Sequence, residues 1–102
     1  MKKLLGLMLV LAATSASAQW YVGGNLHSKT MAQWHEATRA NKQATLADMV
    51  GKVLKQPNPA AIRPKVVEVE ACVNEVASEK SLRHLAVAEI VVGCMIQLKY
   101  IG

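Results

Sequence analysis

The sequence has no Gly-rich phosphate loop, no Cys-x-x-Cys pair and no His-x-x-x-His pair. The first absence removes the common motif-borne route to nucleotide phosphates, which needs glycine where the backbone approaches the ligand closely. The other two remove the local ligand spacings of zinc sites and of dithiol redox centres. The three histidines, His27, His35 and His84, stand apart from each other and from the two cysteines. Met31, Met49 and Met95 could offer sulfur to copper, but methionine at helical spacing usually fills a core. Ser28 follows His27 directly, and adjacency is not a triad, because a nucleophile needs a base and an orienting group in space. Glu68, Glu70, Glu75, Glu79 and Glu89 supply carboxylates. Nothing in their spacing pairs or buries them, so a solvated helix face is expected. No catalytic residue, no cofactor site and no metal site is expected.

Charge of one sign is also in short supply. Twelve Lys and Arg stand against seven Asp and Glu, a formal charge of +5. Lys2 and Lys3 sit at the very start of the chain. Setting those two aside leaves ten against seven, or +3, spread along the sequence. A dispersed charge of that size does not point to nucleic acid.

What is present begins with an export signal. Lys2 and Lys3 precede a short apolar run over residues 4–13, and Ala16-Ser17-Ala18 supplies the small residues that a signal peptidase needs. The run is too short to span a bilayer, which takes about 20 apolar residues. The expected organisation is a secretory signal over residues 1–18, an irregular segment over 19–30 and a helical domain over 31–102. Cleavage after Ala18 would leave a periplasmic or secreted protein with no transmembrane segment. Residues 19–102 are close to the lower limit for a self-sufficient core. Small exported domains commonly add a staple, and Cys72 and Cys94 are the expected one.

Along the chain, Gly23-Gly24-Asn25 is a turn signal, just after the aromatic pair Trp20 and Tyr21. That pair reads as packing back on the core or as a binding tip. Thr30 with Gln33 fits a capping box for a first helix over residues 31–41. Met31, Trp34, Ala37 and Thr38 share its apolar face, with Trp34 as anchor. Thr45 with Asp48 fits a second box, for a helix over residues 45–56 that ends at Pro57 and Pro59; residues 41–44 read as a tight turn, or as a kink in one bent helix. A third helix is expected over residues 64–78, with Pro64 at its first position; an earlier start, with Asn58 as cap, Pro59 first and a kink at Pro64, is the alternative. Val66, Val69, Val73 and Val76 recur at three and four. Residues 67–71 also alternate, which keeps a strand open for 66–73. A polar connection over residues 78–85 leads to a fourth helix over 86–100, the most apolar stretch and the expected centre of the domain. Gly93 there suggests close approach of another helix.

In an antiparallel helical pair, facing residues are symmetric about the loop. The midpoint of Cys72 and Cys94 is position 83, inside the polar connection. A bridge needs Cα atoms ~5.5 Å apart, and this register meets that need. The expected fold is all-α: a small bundle of about four short helices, the last two an antiparallel hairpin closed by Cys72–Cys94.

In size, helicity and single disulfide, the chain is similar to the acid-stress chaperones of the periplasm. Those bridge cysteines far apart in sequence, the first close behind a tryptophan. Here the bridge is local and Trp34 has no cysteine nearby, so no residue role carries over. The expected function is a small exported, non-enzymatic binding protein: an envelope stress chaperone, or an inhibitor or immunity-type partner of another exported protein. Trp20, Tyr21 and Trp34 are the candidate partner-binding residues. A structural subunit of an envelope assembly is the alternative, with a small metal carrier or enzyme behind it. A homo-oligomer remains open.

Overall fold

A computed structural model describes residues 19–102. The expected secretory signal, with its cleavage point after Ala18, lies outside the described residues. The described chain is all-helical. Helix α1 is Met31–Glu36, α2 is Arg39–Leu54, α3 is Pro59–Ala77 and α4 is Val87–Gln97, with a 3-10 turn at Lys80–Leu82 between α3 and α4. None of these helices is long and apolar enough to cross a membrane.

α1 starts where expected. Thr30 Oγ1 accepts from the Gln33 amide at 3.4 Å, and the Thr30 amide donates to Gln33 Oε1 at 3.0 Å. The next two amides find carbonyls in the α3–α4 connection: Met31 donates to Leu85 at 2.8 Å and Ala32 to Arg83 at 2.9 Å. Val87, at the start of α4, donates to the Lys29 carbonyl at 2.9 Å. Two helix N-termini, each with orphan donors, thus satisfy each other across a single antiparallel bridge between Thr30 and Ala86.

The break between the first two helices falls earlier than the sequence suggests. Ala37 and Thr38 are extended, and Thr38 caps α2 by accepting from the Asn41 amide at 3.2 Å. Thr38 is therefore a cap and not part of the apolar face of α1. Thr45 is not a cap at all. It lies within α2, fully buried, with Oγ1 accepting from the Leu26 amide at 3.2 Å and donating to Asn41 Oδ1 at 3.4 Å.

α3 corrects a second boundary. It begins at Pro59, capped by Asn58 Oδ1 on the Ala60 amide at 3.0 Å, and Pro64 lies inside it. An internal proline removes one helical hydrogen bond and crowds the preceding turn. The early start recovers stability by placing Ile62 in the core, almost fully buried. Residues 66–73 are helix, with Val66, Val69 and Val73 buried.

The centre of the bundle is α3, not α4. α1, α2 and α4 all pack against it, and it crosses a core of Trp34, Leu46, Val50, Val91 and Met95. α4 instead leaves Val92 and Ile96 exposed, Ile96 to 52%. Gly93 marks no close approach, since a Cβ there would meet nothing within 4 Å. The disulfide joins Cys72 on α3 to Cys94 on α4, with Cα atoms 5.9 Å apart. Arg83, at the midpoint, donates from Nε to the Ala77 carbonyl at 3.1 Å and so satisfies the end of α3.

Residues 24–27 are fixed to α2 by a polar rail. Asn41, Thr45 and Asp48 lie one turn apart. They meet the Asn25 amide at 3.0 Å, the Leu26 amide at 3.2 Å and His27 Nε2 at 3.0 Å. Gly24 makes this approach possible. A Cβ on it would stand 2.6 Å from both the Ala44 carbonyl carbon and Thr45 Cα, and closer still to the Thr45 nitrogen. All three are backbone atoms and cannot turn aside. Gly24→Ala is expected to lift the segment off α2 and cost about 1–3 kcal/mol, the usual range for overpacking. Amide exchange at Leu26 is the direct readout; protection equal to that of the unchanged protein would refute the clash.

Candidate functional site

The structure separates the three aromatic candidates. Trp20 and Tyr21 stay together, in an edge-on pair with ring centroids 5.8 Å apart. Trp20 is half-buried, with the Arg63 guanidinium 4.8 Å from its ring centroid. This holds the segment onto α3 by a cation–π contact. Tyr21 is exposed. Trp34 lies elsewhere, at 0% exposure in the core, where it offers no surface to a partner.

Tyr21 stands on the rim of a cleft of about 440 Å³. Ala47, Gly51 and Ile62 contribute apolar lining from α2 and α3, and Pro57 and Pro59 contribute it from the turn between them. Lys52 and Lys55 line it too, as does Asp48, whose carboxylate pairs with His27. The Pro57–Pro59 turn gives this rim a restricted backbone, since each proline fixes its own φ. The cleft therefore combines rigid apolar contact area with two cations.

A second cluster was not expected. Glu70, read from sequence as part of a solvated face, is buried to 4% exposure. Its Oε1 accepts from Gln43 Nε2 at 3.1 Å, and its Oε2 lies 3.4 Å from Arg39 Nε. A buried carboxylate needs such partners, because an unpaired one is costly. Beside it, Trp34 Nε1 donates to Asn74 Oδ1 at 2.8 Å, and Lys42 Nζ stands 5.7 Å from the Trp34 ring centroid. Of these residues, Arg39, Lys42, Glu70 and Asn74 line a cavity of about 420 Å³. A local signal for Glu70 does exist. It falls four residues after Val66 and three before Val73, on the apolar stripe of α3.

The remaining polar groups are dispersed. His35 Nε2 meets Arg83 Nη2 at 3.2 Å, away from His27. Tyr100 has an enclosed hydroxyl on the side of Glu68. Burial, with the charge of nearby Glu68, pushes its pKa up to about 12. Among the described residues, no three His, Cys, Asp or Glu side chains come together as a metal site. No family model matches the chain, no curated protein matches it, and no solved structure matches its fold.

Proposed function

We propose that residues 19–102 act as a small exported, non-enzymatic binding protein that holds another exported protein at the cleft beside Tyr21. The observation that carries this reading is the cleft itself. An exposed aromatic ring and two prolines offer apolar contact beside Lys52 and Lys55, over a floor closed by Ile62. Buried aromatic anchors with charge at the rim are the parts from which protein interfaces draw affinity and orientation. The matching partner presents an apolar side chain with acidic neighbours. Export is supported by the basic start, the apolar run and the Ala16-Ser17-Ala18 site, together with a disulfide that suits an oxidising compartment.

The test is crosslinking capture from an envelope extract, run side by side with Tyr21→Ala and with a Lys52→Glu, Lys55→Glu double variant. A single stoichiometric partner that is lost with both variants, at unchanged melting temperature, is the expected result. Capture that is equal for all three proteins would sink the cleft as the binding site. Many unfolded clients, captured only under stress, would select the chaperone form of the same reading. A structural subunit is the second reading, favoured by Val92 and Ile96, which are exposed one turn apart on α4.

A further inference from the structure

The cavity between the first turn of α2 and α3 has the composition of a small-ligand site, and it shares no lining residue with the cleft beside Tyr21. It is lined by Arg39, Lys42, Val67, Glu70, Ala71 and Asn74. Its charges are fixed from below. The Glu70 carboxylate is held by Gln43, and its other oxygen holds Arg39 through Nε. This leaves the outer edge of the guanidinium, the forked face that takes a carboxylate in two parallel hydrogen bonds, without a partner among the described residues. The Arg39 side chain is 73% exposed, so that edge is open to a ligand. Lys42 has no carboxylate within ion-pair distance among the described residues. Asn74 spends its carbonyl oxygen on the Trp34 indole, and its amide nitrogen makes no bond within the described protein.

Charge then selects the ligand. Arg39 is balanced by Glu70, so the cavity carries one net positive charge, that of Lys42. A monoanion completes it. A dianion would leave a negative charge uncompensated beside a buried carboxylate, where charges interact strongly. The lining also selects shape. Val67 and Ala71 lie one turn apart on α3 and are small and apolar, so the body of the ligand is a short aliphatic group. We propose that this cavity binds a carboxylate monoanion with a short aliphatic side. The carboxylate sits on Arg39 Nη, Lys42 Nζ and Asn74 Nδ2, and the aliphatic part on Val67 and Ala71. A free short-chain carboxylic acid and the C-terminal residue of a peptide both present that chemistry.

Trp34 makes the test specific. Its indole N–H is bonded to Asn74, while the other tryptophan, Trp20, lies on Arg63 and serves as an internal control. At a mildly alkaline pH, where inorganic phosphate is mainly the dianion, the disulfide-bonded protein is titrated with isobutyrate, with acetyl-Gly-Val carrying a free C-terminus, with the same peptide as its amide, and with inorganic phosphate. The two indole N–H resonances are followed by NMR. The expected result is a saturable shift of the Trp34 indole with the free-acid ligands, with a Kd on the order of 1 mM or tighter, and no shift with the amide. The peptide binding about tenfold tighter than isobutyrate identifies a chain terminus as the ligand; equal affinity identifies the free acid. Arg39→Gln and Lys42→Gln each weaken binding at least about tenfold, the loss of one charge-assisted contact. Glu70→Gln raises the net charge of the cavity by one and shifts preference toward phosphate, an effect that a merely structural Glu70 would not produce. Equal shifts of both indoles, phosphate binding as well as carboxylate in the unchanged protein, or no saturable shift of Trp34, each overturn the proposal.

Discussion

Replacing Trp34 by alanine is expected to remove about 3–5 kcal/mol of stability, the range for truncating a fully buried large side chain. α1 has only six residues, Met31–Glu36, far fewer than the ~12–15 at which an isolated helix becomes even marginal in water. Two of those six are buried, Met31 and Trp34. Without the indole, little holds α1 in place beyond Met31 and the backbone bonds to Leu85 and Arg83 in the α3–α4 connection. Small domains have only about 5–15 kcal/mol in total, so the variant is expected to lose a large share of its stability. Urea titration followed by far-UV circular dichroism measures this. Trp34→Phe keeps most of the apolar volume and frees only the solvent-accessible Asn74, so it should lose much less. A loss under about 1 kcal/mol in the alanine variant, the level of an average substitution, would show that Trp34 does not anchor the helix.

The second large effect is expected from the disulfide. Cys72 and Cys94 are 22 residues apart, and closing a loop of that length stabilises by ~3 kcal/mol through the unfolded chain. For a domain of this size, that corresponds to roughly 12–24 °C in melting temperature. A double variant with alanine at both positions should therefore melt that much lower, and reduction of the unchanged protein should give a similar shift. Native contacts do not cancel the effect, because α3 and α4 already pack together without the bridge and the bridge acts on the unfolded ensemble. Equal melting temperatures for the oxidised and reduced protein would refute the assignment of the bridge as a staple. The two losses share α3: Cys72 lies two positions before Asn74, which bonds Trp34. Combining them should depart from additivity, as neighbouring sites do.

The fold was legible where both partners of an interaction lie within a few residues of each other. The Thr30–Gln33 capping box is such a case, and so is the end of α2 before Pro57. The disulfide register was also readable, because an antiparallel hairpin ties the cysteine midpoint to its own loop. The misplaced boundaries have tertiary causes. Thr45 looks like a cap because its true partner, the Leu26 amide, lies 19 residues away. Pro64 looks like a helix start because its local cost is visible in the sequence, while the burial of Ile62 that offsets it is not. α4 is the most apolar helix and yet not the central one. Centrality depends on how many elements a helix faces, and α3 faces three. The Glu70 cluster depends on Gln43 and Arg39, residues of another helix 27 and 31 positions earlier in the chain, and α3 alone supplied only the hint of a carboxylate on an apolar stripe. The cleft beside Tyr21 was legible only as an aromatic pair. Its lining comes from α2, α3 and the proline turn, which meet only in the folded chain.

Heat acts differently on the Asn41, Thr45 and Asp48 rail and on the core. Release of residues 24–27 from α2 uncovers mainly amides, a hydroxyl and a carboxylate, with Leu26 as the one buried apolar side chain. Exposed apolar area raises the heat capacity and exposed polar area lowers it, so the polar groups offset part of the Leu26 contribution in this local step. Unfolding of the whole domain carries about 12–15 cal/mol/K per residue instead. The free energy that docks the segment therefore curves less with temperature than that of the core, which follows a dome that is flat near its maximum. Over the range in which the core hardly changes, warming therefore weakens the hold of α2 on residues 24–27.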